Sequence, residues 1–68
     1  MINYYAYPGN KTLEESKSKE TNTTRFKSGN SEFAIKLCNK KFGENKYKLF
    51  SFTDFNDTTT FKEVLLGE

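Results

Sequence analysis

The side chains able to do acid–base, nucleophilic or metal chemistry in this 68-residue sequence are few: eleven Lys or Arg, nine Asp or Glu, one Cys and no His. Without His, neither a Ser-His-Asp nor a Cys-His arrangement exists, and a lone Cys cannot build a tetrahedral zinc site. A general base would have to be a carboxylate or Lys with a shifted pKa inside a cleft, for which one small domain has little room. Asp54 and Asp57 flank a turn, but two carboxylates do not make a selective site for a hard cation. Gly9, Gly29, Gly43 and Gly67 stand singly, so no phosphate-cradling loop is present. Cys38 falls within the apolar arc of a predicted helix and reads as a small buried hydrophobe, with no second Cys to pair with. The expectation is a protein that is not an enzyme and that uses no cofactor or metal.

What remains is binding, and two residue sets could carry it. Residues 25–48 hold Arg25, Lys27, Lys36, Lys40, Lys41, Lys46 and Lys48 against only Glu32 and Glu44. Residues 49–68 reverse the balance, with Lys62 against Asp54, Asp57, Glu63 and Glu68. A basic middle segment fits a nucleic acid or an acidic protein surface, or simply a solvated helix face. The second set is aromatic. Tyr5, Tyr7, Phe50 and Phe52 could share one sheet face bordered by Lys46 and Lys48, the combination that single-strand stacking platforms use. Lys46 to Phe52 nevertheless lacks the glycine that lets bases approach in the RNA-recognition signature. The candidate partner-binding residues are therefore Tyr5, Tyr7, Arg25, Lys27, Lys36, Lys40, Lys41, Lys48 and Phe50.

These residues need elements to hold them. Ile2–Tyr7 is β-branched and aromatic and is closed by Pro8-Gly9-Asn10, which predicts a first strand with Tyr4 and Ala6 on one face and Tyr5 and Tyr7 on the other. From residue 10 to 24 the only large apolar residue is Leu13. Thr12 to Glu15 fits a capping box and one helical turn, but a longer helix would have no stripe to bury, so residues 10–22 read as an exposed, mobile excursion. Thr23–Lys27 predicts a short strand, with Arg25 and Lys27 suited to an edge. Ser28 to Ser31 supplies a turn and an N-cap. A helix follows from Ser31 or Glu32 to Phe42, where Phe33, Ala34, Ile35, Leu37, Cys38 and Phe42 cover an arc of roughly 200°. Leu37 is expected in the core. Gly43 marks the helix end. The arc is wider than one sheet face needs, leaving part of it to meet the excursion or a second copy of the chain. Lys46–Phe55 predicts the strongest strand, with Tyr47, Leu49 and Phe55 on one face. Thr58–Leu66 predicts a last strand returning as a hairpin, with a helical alternative for 61–66.

The fold class expected is α+β: one domain over residues 1–68, in β–β–α–β–β order, with a three- or four-stranded antiparallel sheet and one helix across it. Apolar residues make up 34% of the chain, a low share offset by eleven Phe and Tyr, which bury large areas each. No apolar run approaches the ~20 residues that span a bilayer. The chain begins at Met1 without a basic-then-apolar leader, which together with the single Cys predicts a cytoplasmic protein.

Asn30-Ser31-Glu32-Phe33-Ala34-Ile35, Phe42-Gly43 and Tyr47-Lys48-Leu49-Phe50 follow a layout recurrent in small phage and bacterial proteins: a capped helix, a Phe-Gly stop and an alternating strand. In size and element order the chain resembles several anti-CRISPR proteins. The resemblance implies a phage or mobile-element origin and stoichiometric inhibition of a host defence protein or ribonucleoprotein complex by steric blocking. It carries over no functional residue. The alternative is a small nucleic-acid-binding module using the basic segment and the aromatic face.

Overall fold

The computed structural model describes residues 1–19 and 22–65. Four antiparallel strands form one sheet: β1 (Ile2–Pro8), β2 (Thr24–Ser28), β3 (Tyr47–Phe52) and β4 (Lys62–Glu63), in spatial order β2-β1-β3-β4. Helix α1 (Leu13–Lys19) joins β1 to β2, and α2 (Ser31–Phe42) joins β2 to β3. The expected α+β class and the helix across an antiparallel sheet are present, with α1 as an addition. The central strand is β1. It pairs with β2 in the register Tyr4↔Phe26 and Tyr5↔Arg25, and with β3 in the register Tyr5↔Phe50 and Ala6↔Leu49.

Alternation along β1 divides the molecule into two cores. On one face Tyr4, Ala6, Tyr47 and Leu49 bury against Ala34 and Cys38 of α2, with Phe26, Ile35, Phe42 and Val64 packed around them. The helix contacts the sheet through its two smallest apolar residues, which lets its axis lie close. Its ends are fixed as the sequence predicts. Asn30 Oδ1 accepts from the Phe33 amide at 2.8 Å, and Gly43 takes φ 103° while its N–H donates to the Asn39 carbonyl. The Tyr47 hydroxyl donates to Asn39 Oδ1 at 2.7 Å, pinning α2 to β3.

The opposite face is also covered, contrary to the expectation of an open aromatic surface. Helix α1 occupies most of the segment read as an excursion. Its capping box is complete: Thr12 Oγ1 accepts from the Glu15 amide and Glu15 Oε1 accepts from the Thr12 amide, each at 3.1 Å. Glu14 and Glu15 in its first turn and Lys17 and Lys19 in its last suit the helix dipole. The helix buries no apolar stripe. It docks through Ser16, fully buried, whose Oγ accepts from the Tyr5 hydroxyl at 3.1 Å and donates to the Leu13 carbonyl. Residues 20–21 of the expected excursion, and Leu66 of the expected last strand, lie outside the described residues.

The last third of the chain completes this second cover. The strand predicted through Phe55 ends at Phe52, so Phe55 falls on the side opposite Leu49 and meets Phe52 edge-on at 5.1–5.5 Å from the Tyr5 and Phe52 ring centres. The predicted strand 58–66 is instead a 3₁₀ turn, Thr58–Thr60, followed by the two-residue β4. Asp57 caps that turn through the Thr59 amide, and Thr60 Oγ1 donates within the loop while accepting from the Asp54 amide. Short polar side chains satisfy the backbone locally and so compete with strand pairing. Phe61 then enters the aromatic cluster, with ring centres 5.0 Å from Phe52 and 5.9–6.3 Å from Phe55, Phe50 and Tyr5.

Candidate functional site

The structure separates the nine candidate binding residues into three groups. Tyr5 and Tyr7, expected on an exposed face, are 1% and 2% accessible. They are core residues, because α1 and the 53–61 segment close over them. Phe50 is half-buried and stacks on Tyr7 at 5.9 Å. With these rings covered, the aromatic sheet face does not present a stacking platform. Burial is the first cause that pushes the Tyr7 phenol above its ordinary value, followed by the nearby charge of Glu63.

The six cations are all exposed. Lys48 lies on β3, separated from β2 by the central strand. The other five lie on β2 and α2. Arg25 and Lys27 alternate with Phe26 on β2 and so face away from α2, on the Tyr5 side of the sheet. Lys36, Lys40 and Lys41 project from α2 on the other side. Glu32 is the single carboxylate that these two elements carry. Arg25 also has a structural duty: its guanidinium sits 4.1 Å from the Phe55 ring centre. Lys17 approaches the same ring at 4.8 Å and donates to the Phe55 carbonyl at 2.6 Å.

Two members of the apolar arc of α2 are exposed, among them Leu37, which was expected in the core. Phe33 is 60% accessible and Leu37 47%; Leu37 lies on the side of α2 next to β2, and Phe33 borders a groove with Asn30, Glu32 and Lys36. A cleft of about 130 Å³ runs between helix and strand, lined by Thr24, Phe26, Leu37, Cys38 and Lys41. At 100° per residue the buried axis of the helix passes between Ala34 and Cys38, leaving Phe33 and Leu37 at the margin of the arc. The excess width of that arc was the available sign. Cys38 is 1% accessible, and burial pushes its thiol up to about 11, which removes it from nucleophilic chemistry near neutral pH.

Strand β2 is also an edge, as Arg25 and Lys27 predict. Among the described residues no strand pairs with its outer side. Strand β2 and helix α2 thus carry an outer strand edge, exposed Leu37 and Phe33, and five exposed cations, with Leu37 and Lys41 sharing a cleft with β2. Among the described residues no helix is long and apolar enough to cross a membrane. Comparison with protein-family models, curated proteins and solved structures gives no match.

Proposed function

We propose that the chain is a non-enzymatic binding protein that acts stoichiometrically, covering an acidic surface of a larger protein and blocking it. Inhibition of a host defence protein, in the manner of anti-CRISPR proteins, is the concrete form suggested by the resemblance in size and element order. One observation supports the reading most: β2 and α2 carry five exposed cations together with exposed Phe33 and Leu37, which unites electrostatic steering with an apolar anchor. The alternative, a nucleic-acid module, keeps the cations but has lost the aromatic platform on which it relied.

The test has two arms. Phage plating is measured on hosts carrying defined interference systems, with and without the expressed chain. Restored plating that is lost in the Lys36→Glu/Lys40→Glu variant is expected. Plating unchanged across those systems overturns the defence-inhibitor form. In the second arm the purified chain is titrated with single- and double-stranded oligonucleotides over a range of salt. Five phosphates neutralised would give a slope of log K against log salt of about −3.5 to −4.5. Weak or absent binding at physiological salt is expected, and sequence-tolerant submicromolar binding would establish the nucleic-acid module instead.

A further inference from the structure

Resting on that protein-binding reading, we propose that the outer edge of β2 accepts an extended strand from the partner, and that this strand alternates acidic with apolar residues. Sheet geometry dictates the alternation. A strand added beside β2 sends successive side chains to opposite faces of the sheet. On one face it meets Leu37, 47% exposed, which shares a cleft with Thr24 and Phe26 of β2. On the other it meets Lys27, which projects from β2, and Arg25, which stays exposed while its guanidinium lies over the Phe55 ring. Every second residue of the guest is therefore apolar and those between are acidic. Lys41, lining the cleft beside Leu37, adds a cation for the end of an acidic strand to reach.

Charge selects this occupant over the two others the surface could take. A second copy pairing edge to edge would bring Arg25 and Lys27 against their own counterparts, and like charges facing each other across a strand pair are destabilising. Nucleic acid would use the cations but leave Leu37 and the backbone groups of β2 unengaged. An acidic-apolar strand uses all three: main-chain groups for affinity, Leu37 for burial and the cations for direction.

The experiment uses the full chain labelled with nitrogen-15 and four probes. The first is a short capped peptide alternating glutamate with valine. The second has the same composition with its glutamates in one block. The third is the alternating peptide N-methylated on the edge that would face β2, and the fourth is an oligothymidylate. Amide shifts induced by the alternating peptide are expected over Thr24–Ser28 and around Leu37, with slowed exchange of β2 amides. The blocked and N-methylated peptides are expected to bind about tenfold more weakly or worse, since each removes one of the two periodic contacts. Leu37→Glu, at an exposed position and with its fold checked by the amide spectrum away from the site, is expected to cost a similar factor.

Equal binding of the alternating and N-methylated peptides would overturn strand addition, as would shifts confined to another surface or no binding of the alternating peptide. None of those results touches the covering reading, which the plating assay decides separately. Oligothymidylate binding at the same residues, more tightly than the peptide, would overturn both.

Discussion

The Tyr5 hydroxyl, on the central strand, meets Ser16 Oγ, on the short helix α1, at 3.1 Å with both side chains out of water. This contact joins the second face of the sheet to a helix that has almost no apolar surface with which to hold on. Ser16 passes the chain of hydrogen bonds on to the Leu13 carbonyl at 2.8 Å.

The two ends of that contact differ in what their loss leaves behind. Ser16→Ala strands a buried phenol hydroxyl and is expected to cost about 1–3 kcal/mol. Tyr5→Phe leaves Ser16 bonded to the Leu13 carbonyl and is expected to cost only about 0.5–1.5 kcal/mol. Urea denaturation of both single variants and the double variant checks the order, and a larger loss for Tyr5→Phe would contradict it.

Leu49 and Leu37 offer a matched pair. Leu49 is fully buried between Ala6 and the helix, so Leu49→Ala is expected to cost about 2–5 kcal/mol. Leu37, half exposed, is expected to cost under about 1 kcal/mol when replaced by Ala. Melting temperatures of the two variants make the comparison, and equal losses would return Leu37 to the core.

Phe61 touches four other rings on the second face. Phe61→Ala is expected to destabilise the fold by about 3 kcal/mol and to loosen the 53–61 segment. Amide exchange should then rise at Asp54–Thr60 and α1 before it rises in α2. Uniform loss of protection in a single step would show that the two faces do not open separately.

Stability should fall at high pH. The Cys38 thiol has an ordinary value of 9.0 and is pushed up to about 11 by burial, so the folded state holds its proton more tightly. That contribution is intact below pH 9.0 and is lost as pH rises toward 11. Tyr7 and Tyr47, each raised first by burial, lose theirs in the same direction above their ordinary value of 10.0. A urea midpoint flat near neutrality and declining across this range is expected, and Cys38→Ala should flatten the earlier part of the decline.

Helix α2 was legible in the sequence because its N-cap Asn30, its apolar arc and its stop at Gly43 agree with one another. The edge position of β2 was legible from Arg25 and Lys27. Of helix α1 only the capping box and first turn were legible, since pattern reading looks for an apolar stripe and this helix docks through Ser16 and Lys17. The far face was misread for a linked reason: with the segment after Thr12 read as exposed, nothing was available to cover Tyr5 and Tyr7. Phe55 escaped because its strand stops three residues earlier, which moves an odd-numbered ring to the even-numbered side. For the candidate site, composition located the cations, but the exposure of Phe33 and Leu37 depends on which part of an over-wide arc the sheet takes up.

The central strand of the sheet is the first element of the chain, and its two neighbours come from far along it: Tyr5 lies opposite both Arg25 and Phe50. During synthesis β1 therefore leaves the ribosome with neither flank occupied, and its row of Tyr4, Tyr5 and Tyr7 waits for β3 before either core can close. Contacts so distant in sequence slow folding. A protein made quickly and in quantity would pass through a stage in which its most adhesive strand is bare, so its yield in a cell should respond to temperature and to chaperone supply more strongly than its final stability implies.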